Sequence, residues 1–317
     1  MLSLQKPLCK EVDETELPPF CINNHTILLI NEAKIYSWHP SRCPEAFQMQ
    51  WAEKCDAYIK SECWKITSVG NAVPMLSIPK PGTNPPLLWT VVDLQEQNKN
   101  MLKLMSPLPD MEGMLRHTAR KQFRIALDLK SAYEQIQFVP GHVHCSTVTT
   151  PDGNMVSQVL QMGDCNTPAT YQALMNHLFS SYIGHFMDIY LDDIIIYPDS
   201  LEEHIQHVKL VLDILLWEKL YLSSSKLRFI APSLKLLGCV IDDQGIQIDS
   251  NKVDTVINWK VPMNCDLLHG FIGSVGYLAD NILNVHIPMG TLSALTNDTV
   301  PFWWGYTEQC AFDEVKS

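Results

Sequence analysis

Asp192 and Asp193 interrupt two apolar, β-branched and aromatic runs, Phe186-Met187-Asp188-Ile189-Tyr190-Leu191 and Ile194-Ile195-Ile196-Tyr197. Adjacent carboxylates between strand-forming segments predict a β-hairpin with acid at its bend, where rigid paired strands aim the side chains. Taken alone, such a pair is ordinary solvated turn chemistry. Asp128 changes that balance. It closes Phe123-Arg124-Ile125-Ala126-Leu127, which alternates toward an apolar strand and then breaks into Lys130-Ser131-Ala132-Tyr133. Carboxylates from two strand ends are the donor set that a pair of Mg²⁺ ions about 3.5–4 Å apart requires, because hard cations take oxygen ligands and one side chain cannot neutralise both.

The elements that must hold these acids follow along the chain. Residues 1 to about 40 lack periodicity around Leu17-Pro18-Pro19, Asn23-Asn24-His25 and Ile27-Leu28-Leu29-Ile30, and are expected to be an extended lead-in. Pro44 to Lys60 is expected to be a plain packing helix, with Phe47, Trp51, Cys55 and Tyr58-Ile59 on one face. Val73–Pro79 and 87–93, joined at Lys80-Pro81-Gly82-Thr83, read as a hairpin. Ser106-Pro107-Leu108-Pro109-Asp110 leads into a helix from Met111 that turns Met114, Leu115 and Thr118 inward, with Asp110 as N-cap. A second hairpin turns at Thr150-Pro151-Asp152-Gly153. A helix over 168–184 follows, capped by Thr167, with Pro168 in its first turn and Tyr171, Leu174, Met175, Leu178 and Tyr182 as core stripe. Ser200-Leu201-Glu202-Glu203 reads as a capping box opening a long helix. Its apolar face is Ile205, Val208, Leu212, Leu215, Leu216 and Leu220, and His204 and His207 are expected in solvent. A strand over 234–241, a turn at 242–245 and a return at 246–248 precede a helix from an Asp249 cap to Trp259, and another over 267–278.

At 317 residues, 46% of them apolar and 18% charged, the chain has the composition of a globular protein with about two domains. No stretch approaches the ~20 apolar residues of a membrane span, and Met1-Leu2-Ser3-Leu4-Gln5-Lys6 lacks the apolar segment of a secretory signal, so an intracellular location is expected. The ten cysteines form no CxxC pair, and free thiols are expected. His142-Val143-His144-Cys145 reads as a half-exposed strand, with metal binding the other reading. A net charge of −12 means that any grip on phosphate must come from a local basic groove.

Three ordered runs carry a family resemblance: Leu127-Asp128-Leu129-Lys130-Ser131-Ala132-Tyr133-Glu134-Gln135-Ile136, then Asn166-Thr167-Pro168-Ala169-Thr170-Tyr171-Gln172, then Tyr190-Leu191-Asp192-Asp193. Together they resemble the palm of the reverse transcriptase of gypsy-type long-terminal-repeat retrotransposons, fungal copies most closely, from about Pro74 to the last residue. The resemblance implies an α+β right-hand polymerase with fingers, palm and thumb, its antiparallel palm sheet packed on helices. It implies an N-terminal extension with one helix (1–72), fingers and palm (73–235), and thumb and connection (236–317), cut before the RNase H and integrase parts. The implied activity is RNA-directed DNA synthesis, in which a primer 3′-hydroxyl attacks the α-phosphorus of a dNTP with two Mg²⁺ ions, Mn²⁺ being a substitute. The implied partners are an RNA or DNA template with primer, dNTPs, and the rest of a polyprotein (protease, RNase H, integrase), with no membrane.

By the same resemblance Asp128 and Asp192 bridge the ions, and Asp193 assists or stands outside direct coordination. Leu129 lends its backbone carbonyl to the triphosphate-bound ion. Lys130 and the amides of Lys130, Ser131, Ala132 and Tyr133 face the triphosphate. Tyr133 excludes a ribose 2′-hydroxyl, strand-edge packing being its other reading. Gly163 and Pro168 shape the floor under nucleotide and template. Leu237-Gly238 forms the primer grip, where close backbone approach suits a glycine.

The chain also departs from the family. Trp89, Gln95, Gln97, Cys239, Cys265, His269, His286, Trp303 and Cys310 stand where arginine is expected, each one C→T or G→A change from a CGN codon. Restoring arginine there would remove most of the excess negative charge. Each guanidinium lost from a phosphate removes roughly 1.5–3 kcal/mol per charged hydrogen bond. Arg116, Arg120 and Arg124 remain and are expected to line one wall of the fingers, a solvated helix face being the alternative for the first two. Two readings therefore stand: an active polymerase, or an impaired or inactive remnant that keeps the fold. An unrelated metal-dependent hydrolase would account for neither Tyr133 nor the Thr-Pro-Ala-Thr-Tyr-Gln run.

Overall fold

A computed structural model describes residues 8–10, 16–37, 39–106, 109–223, 233–279, 282–297 and 301–317. Met1–Lys6, Pro107 and Leu108, which entered the readings above, lie outside the described residues. The chain divides into two units, Met1–Ala231 and Pro232–Ser317.

In the first unit both expected hairpins form. Val73–Pro79 (β2) pairs antiparallel with Leu88–Val92 (β3), and Thr147–Thr150 (β5) with Gly153–Ser157 (β6). The turn between β5 and β6 has Gly153 at φ 112°, where an L side chain would be strained. A parallel pairing of β2 with β5 joins the hairpins, and Trp64–Ile66 (β1) completes one sheet in the order β1-β6-β5-β2-β3. Helix Gln48–Lys60 turns Trp51, Cys55 and Tyr58 into the core of this sheet. Ile59 is exposed, against expectation, because it lies about 100° around the helix from Tyr58.

Ile125–Asp128 (β4), Met187–Tyr190 (β7) and Asp193–Ile196 (β8) form the expected antiparallel sheet, with β8 central. Ile194, Ile195 and Ile196 are fully buried, about 1.5–3 kcal/mol of hydrophobic stabilisation each. One core gathers Ile194 and Ile196 with Tyr171, Leu174, Met175 and Phe179 of helix Thr167–Phe179 and Val208, Val211, Leu212 and Leu215 of helix Leu201–Trp217. Strands pinned from below in this way cannot slip register without exposing isoleucine.

Several local expectations need correction. Helix Thr167–Phe179 ends before 184, with Tyr182 in the turns that follow; Thr167 is its first residue and Asn166, which makes no side-chain capping bond, holds the cap position. Asp110 has cap geometry at helix Met111–Ala119 but no capping hydrogen bond, and its carboxylate instead lies 4.0 Å from Arg116. Ser200 does cap helix Leu201–Trp217, accepting from the Glu203 amide at 3.2 Å, but the Glu203 carboxylate returns to the Asp199 amide, one residue short of a reciprocal box. On that helix Ile205 and Leu216 are exposed, while His204, expected in solvent, is 1% exposed with neither ring nitrogen bonded among the described residues. Positions 204, 208, 211, 212 and 215 make the buried stripe, and this period places 205 outside it. His207 stacks on Phe186 with ring centroids 3.8 Å apart. His142–Cys145 lies in the 3-10 helix Pro140–Ser146, not in a strand. Arg124 is buried with Nε donating to the Thr118 carbonyl at 3.1 Å, so it does not line the fingers; exposed Arg116 pairs with Glu112 across one helical turn, as on a solvated face.

The second unit carries Leu234–Leu236 (β9), Cys239–Asp242 (β10) and Gly245–Ile248 (β11), in the order β11-β10-β9. Leu237 and Gly238, expected inside a strand, are the two-residue turn between β9 and β10, at φ 47° and 69°. A Cβ on Gly238 would stand 2.9 Å from the Tyr277 ring. Asp249 caps helix Ser250–Ile257, which ends two residues before Trp259, and Asn264 caps helix Cys265–Gly276, which starts two residues before Leu267. Helices His286–Ala294 and Tyr306–Lys316 complete its core around Phe271 and Phe312.

Candidate active site

The three acids lie at one end of the β4-β8-β7 sheet. Asp128, the last residue of β4, sits opposite Asp193, the first of β8, and Asp193 also pairs with Tyr190 of β7. Leu191 and Asp192 are the turn, and Leu191 takes φ 53°, a left-handed conformation costly for a leucine. The Leu129 amide reaches the Asp192 carbonyl at 3.5 Å, a direct link between the two strand ends. All three aspartates are half-buried.

The strained turn is held from beneath. Gln172, fully buried on helix Thr167–Phe179, accepts from the Leu191 amide at 2.9 Å and donates to the Ile189 carbonyl at 3.3 Å and to Asn176 Oδ1 at 2.9 Å. Beside it the Tyr171 ring meets Tyr133 edge-on, centroids 5.5 Å apart. Burial, then the charges of Asp192 and Asp128 with Tyr133 between them, push the Tyr171 phenol well above its ordinary range, and its buried hydroxyl has no hydrogen-bond partner among the described residues. The Tyr133 phenol is raised by burial, then by Asp192 and Tyr190. Asp188, the remaining acid of the run, is turned away: Tyr197 Oη donates to it at 2.8 Å and His117 lies 3.2 Å from it.

After Asp128 the chain runs beside 221–223. Ser223 donates to the Asp128 carbonyl at 2.9 Å, and the Lys130 amide donates to the Tyr221 carbonyl at 3.0 Å. The Lys130 amide is therefore engaged by protein and unavailable to a phosphate, a correction to the expected set, which leaves Ser131, Ala132 and Tyr133. Ser131 adopts φ 44° and opens the 3-10 helix Ala132–Gln135 that presents Tyr133. Gly163 has φ 106°, and a Cβ there would meet Leu94 and the Val92 carbonyl at 3.6 Å. Pro168 is the second residue of helix Thr167–Phe179. Leu237 and Gly238 belong to the second unit, at the turn described above.

Helix Gln48–Lys60 does more than fill a core. Lys54 Nζ donates to Thr90 of β3 at 2.7 Å and lies over the rings of Tyr58 and Trp64, while Tyr58 donates to Glu134 at 2.6 Å. Burial depresses the Lys54 ammonium, with Glu134 opposing. The helix is thereby tied both to β3 and to the segment presenting Tyr133. Of the nine arginine-like positions, Trp89 is exposed on β3, whereas Gln97 and Cys239 are buried.

Sequence reasoning did not assign Gln172 or the Tyr171 hydroxyl. A glutamine beside an otherwise apolar buried stripe was the available signal for the first. Among the described residues no three histidine, cysteine or acidic side chains converge to hold a metal ion. The donor set nonetheless fits a hard cation, since Mg²⁺ is commonly bound through one or two carboxylates plus substrate phosphates and water rather than by a protein cage. Among the described residues no helix is long and apolar enough to cross a membrane.

The family model for "Reverse transcriptase (RNA-dependent DNA polymerase)" matches residues 78–241. The Tf2-3 and Tf2-7 transposon polyproteins of Schizosaccharomyces pombe are 31% and 30% identical over 259 residues, 81% of this chain and 19% of theirs. The chain thus spans about a fifth of the length of the curated relatives it matches. Among solved structures, the foamy viral protease-reverse transcriptase aligns with TM-scores of 0.79 in a complex with double-stranded DNA and 0.78 in one with an RNA/DNA hybrid. Both are 18% identical and cover 99% of this chain, against 55% and 42% of those chains. This likeness shows the α+β right-hand polymerase fold.

Proposed function

Because the chain belongs to the reverse transcriptase (RNA-dependent DNA polymerase) family, in its gypsy-type retrotransposon branch, we propose that it is the polymerase segment of a retrotransposon polyprotein. It extends a primer 3′-hydroxyl with dNTPs on an RNA or DNA template. The observation that carries this reading is the register placing Asp128 opposite Asp193, with Asp192 in the adjoining turn and Leu129 bonded to it.

Asp128 and Asp192 would hold the divalent ions, with the Leu129 carbonyl as a further oxygen donor and Asp193 beside them. Bound ions, Mg²⁺ with Mn²⁺ as substitute, supply activation of the 3′-hydroxyl and neutralisation of charge on the triphosphate. Lys130 and the amides of Ser131, Ala132 and Tyr133 face the triphosphate. The Tyr133 ring, braced edge-on by Tyr171, occupies the space a ribose 2′-hydroxyl would need. Gly163 and Pro168 form the floor beneath nucleotide and template, and Leu237-Gly238 grips the primer. On this reading residues 1–72 are an N-terminal extension, 73–235 fingers and palm, and 236–317 thumb and connection. Protease, RNase H and integrase are its expected companions in the polyprotein.

The test is primer extension on an RNA template with Mg²⁺, comparing the chain with Asp192→Asn. Extension is expected and the variant should lose several kcal/mol of transition-state stabilisation, about 10³-fold in rate. A folded parent chain that extends no primer, or a variant as fast as its parent, overturns the proposal.

A further inference from the structure

His25 belongs to the segment that reads as an extended lead-in, and it is 0% exposed and bonded on both ring nitrogens. Nδ1 lies 2.8 Å from Thr170 Oγ1 and Nε2 lies 3.2 Å from Asp164 Oδ2. One imidazole reaches both partners at once, with an Nε2–H donating to the acceptor-only Asp164 carboxylate and Nδ1 paired with the Thr170 hydroxyl, which can donate or accept. The backbone is also fixed: the His25 amide donates to the Gln137 carbonyl and the Val139 amide to the His25 carbonyl, each at 2.9 Å, and the ring stands edge-on to Phe138.

The two groups that His25 holds bracket the loop leading into helix Thr167–Phe179. Asp164 uses its other carboxylate oxygen to accept from the Asn166 amide at 2.7 Å, and its carbonyl accepts from Thr167 at 3.2 Å. On its far side the loop is held by Asn98, which donates to the Gly163 carbonyl and accepts from the Cys165 amide, each at 2.9 Å. A nearly dry carboxylate between Gly163 and Pro168 is costly to bury unless its oxygens are hydrogen-bonded, and the bonds from His25 and the Asn166 amide meet that need in one loop geometry.

We propose that His25 is a positioning residue for nucleotide binding: by clamping Asp164 and Thr170 it fixes the loop whose Gly163 and Pro168 underlie the incoming dNTP. This inference rests on the polymerase reading. It assigns a role in substrate geometry to a residue that lies outside the matched region 78–241.

Single-nucleotide insertion on an RNA template, melting curves and amide hydrogen exchange test it on His25→Ala, Thr170→Val and His25→Gln. For His25→Ala the KM for dNTP should rise about tenfold while kcat stays within about twofold. Amides of 161–168 should lose protection while β7 and β8 keep theirs. Thr170→Val should move the same readouts in the same direction by a smaller factor. His25→Gln, which keeps a donor toward Asp164, should recover most of the KM. An unchanged KM in folded variants, or a fall in kcat that tracks the folded fraction, overturns the proposal. If the parent chain extends no primer, the polymerase reading fails on its own, and the exchange pattern still decides: protection lost evenly across the unit, or not at all, removes the clamp.

Discussion

Gln172→Leu isolates the support under the acidic turn. The substitution keeps the volume of a buried position and removes two backbone partners, the acceptor for the Leu191 amide and the donor to the Ile189 carbonyl. Ile189 lies in a buried strand, so its carbonyl loses a bond it cannot replace, about 1–3 kcal/mol; Leu191 is half-buried, its amide can turn to water, and the loss there is about 0.5–1.5 kcal/mol. Together the unfolding free energy should fall by about 1.5–4.5 kcal/mol. The functional effect should be separable from this. Leu191 holds φ 53°, and once the amide is released the turn relaxes toward an unstrained conformation and carries Asp192 with it. A displacement near 1 Å at a reacting centre costs about 10²-fold in rate. Single-turnover primer extension at saturating dNTP, read beside urea unfolding, distinguishes the two effects. A folded Gln172→Leu chain whose insertion rate is within twofold of the parent would refute the idea that this side chain positions Asp192.

Three further outcomes are expected. Tyr133→Ala should relax discrimination against ribonucleotides, seen as a lower ratio of dNTP to rNTP insertion efficiency, and an unchanged ratio would sink the assignment. His204 is held below the ordinary histidine value of 6.5 by burial and then by His207. The folded chain therefore takes up a proton there less readily than the unfolded chain, so this contribution to stability is full above 6.5 and declines as pH falls below it. Urea midpoints at about pH 7.5 and about pH 5.5 should differ in the parent and converge in His204→Leu. Gly238→Ala puts a Cβ 2.9 Å from the Tyr277 ring at φ 69°, and should lower unfolding stability by about 1–3 kcal/mol, with protection lost around β9 and β10. A variant as stable as its parent would show that the turn and Tyr277 yield freely.

Legibility in the sequence depended on how far apart the interacting residues are. The hairpin around Asp192-Asp193 and the turn at 150–153 come from neighbouring residues, where β-branched runs and turn chemistry act locally, and both formed, the acidic bend one residue early at Leu191-Asp192 because Asp193 pairs into β8. Helix faces were less secure. A shift of one residue moves a side chain about 100° around the axis, and so His204 rather than Ile205 entered the core. Asp110, Thr167 and Glu203 have the composition of capping residues, but whether a cap bond forms depends on what else competes for the side chain.

What the amino-acid order determined by itself is the inventory: three aspartates at strand ends, Tyr133 five residues after the first, and the ordered runs that mark a polymerase palm. Tertiary structure alone decided how they meet. The Asp128–Asp193 register, the Gln172 support and the His25–Asp164–Thr170 clamp join segments far apart in the chain, the clamp across 139 and 145 residues. Such pairings are selected by burial on both sides of a strand and by the need to satisfy each enclosed polar group. Neither constraint leaves a periodic trace in the local sequence, because each becomes definite only when the packed partner is in place.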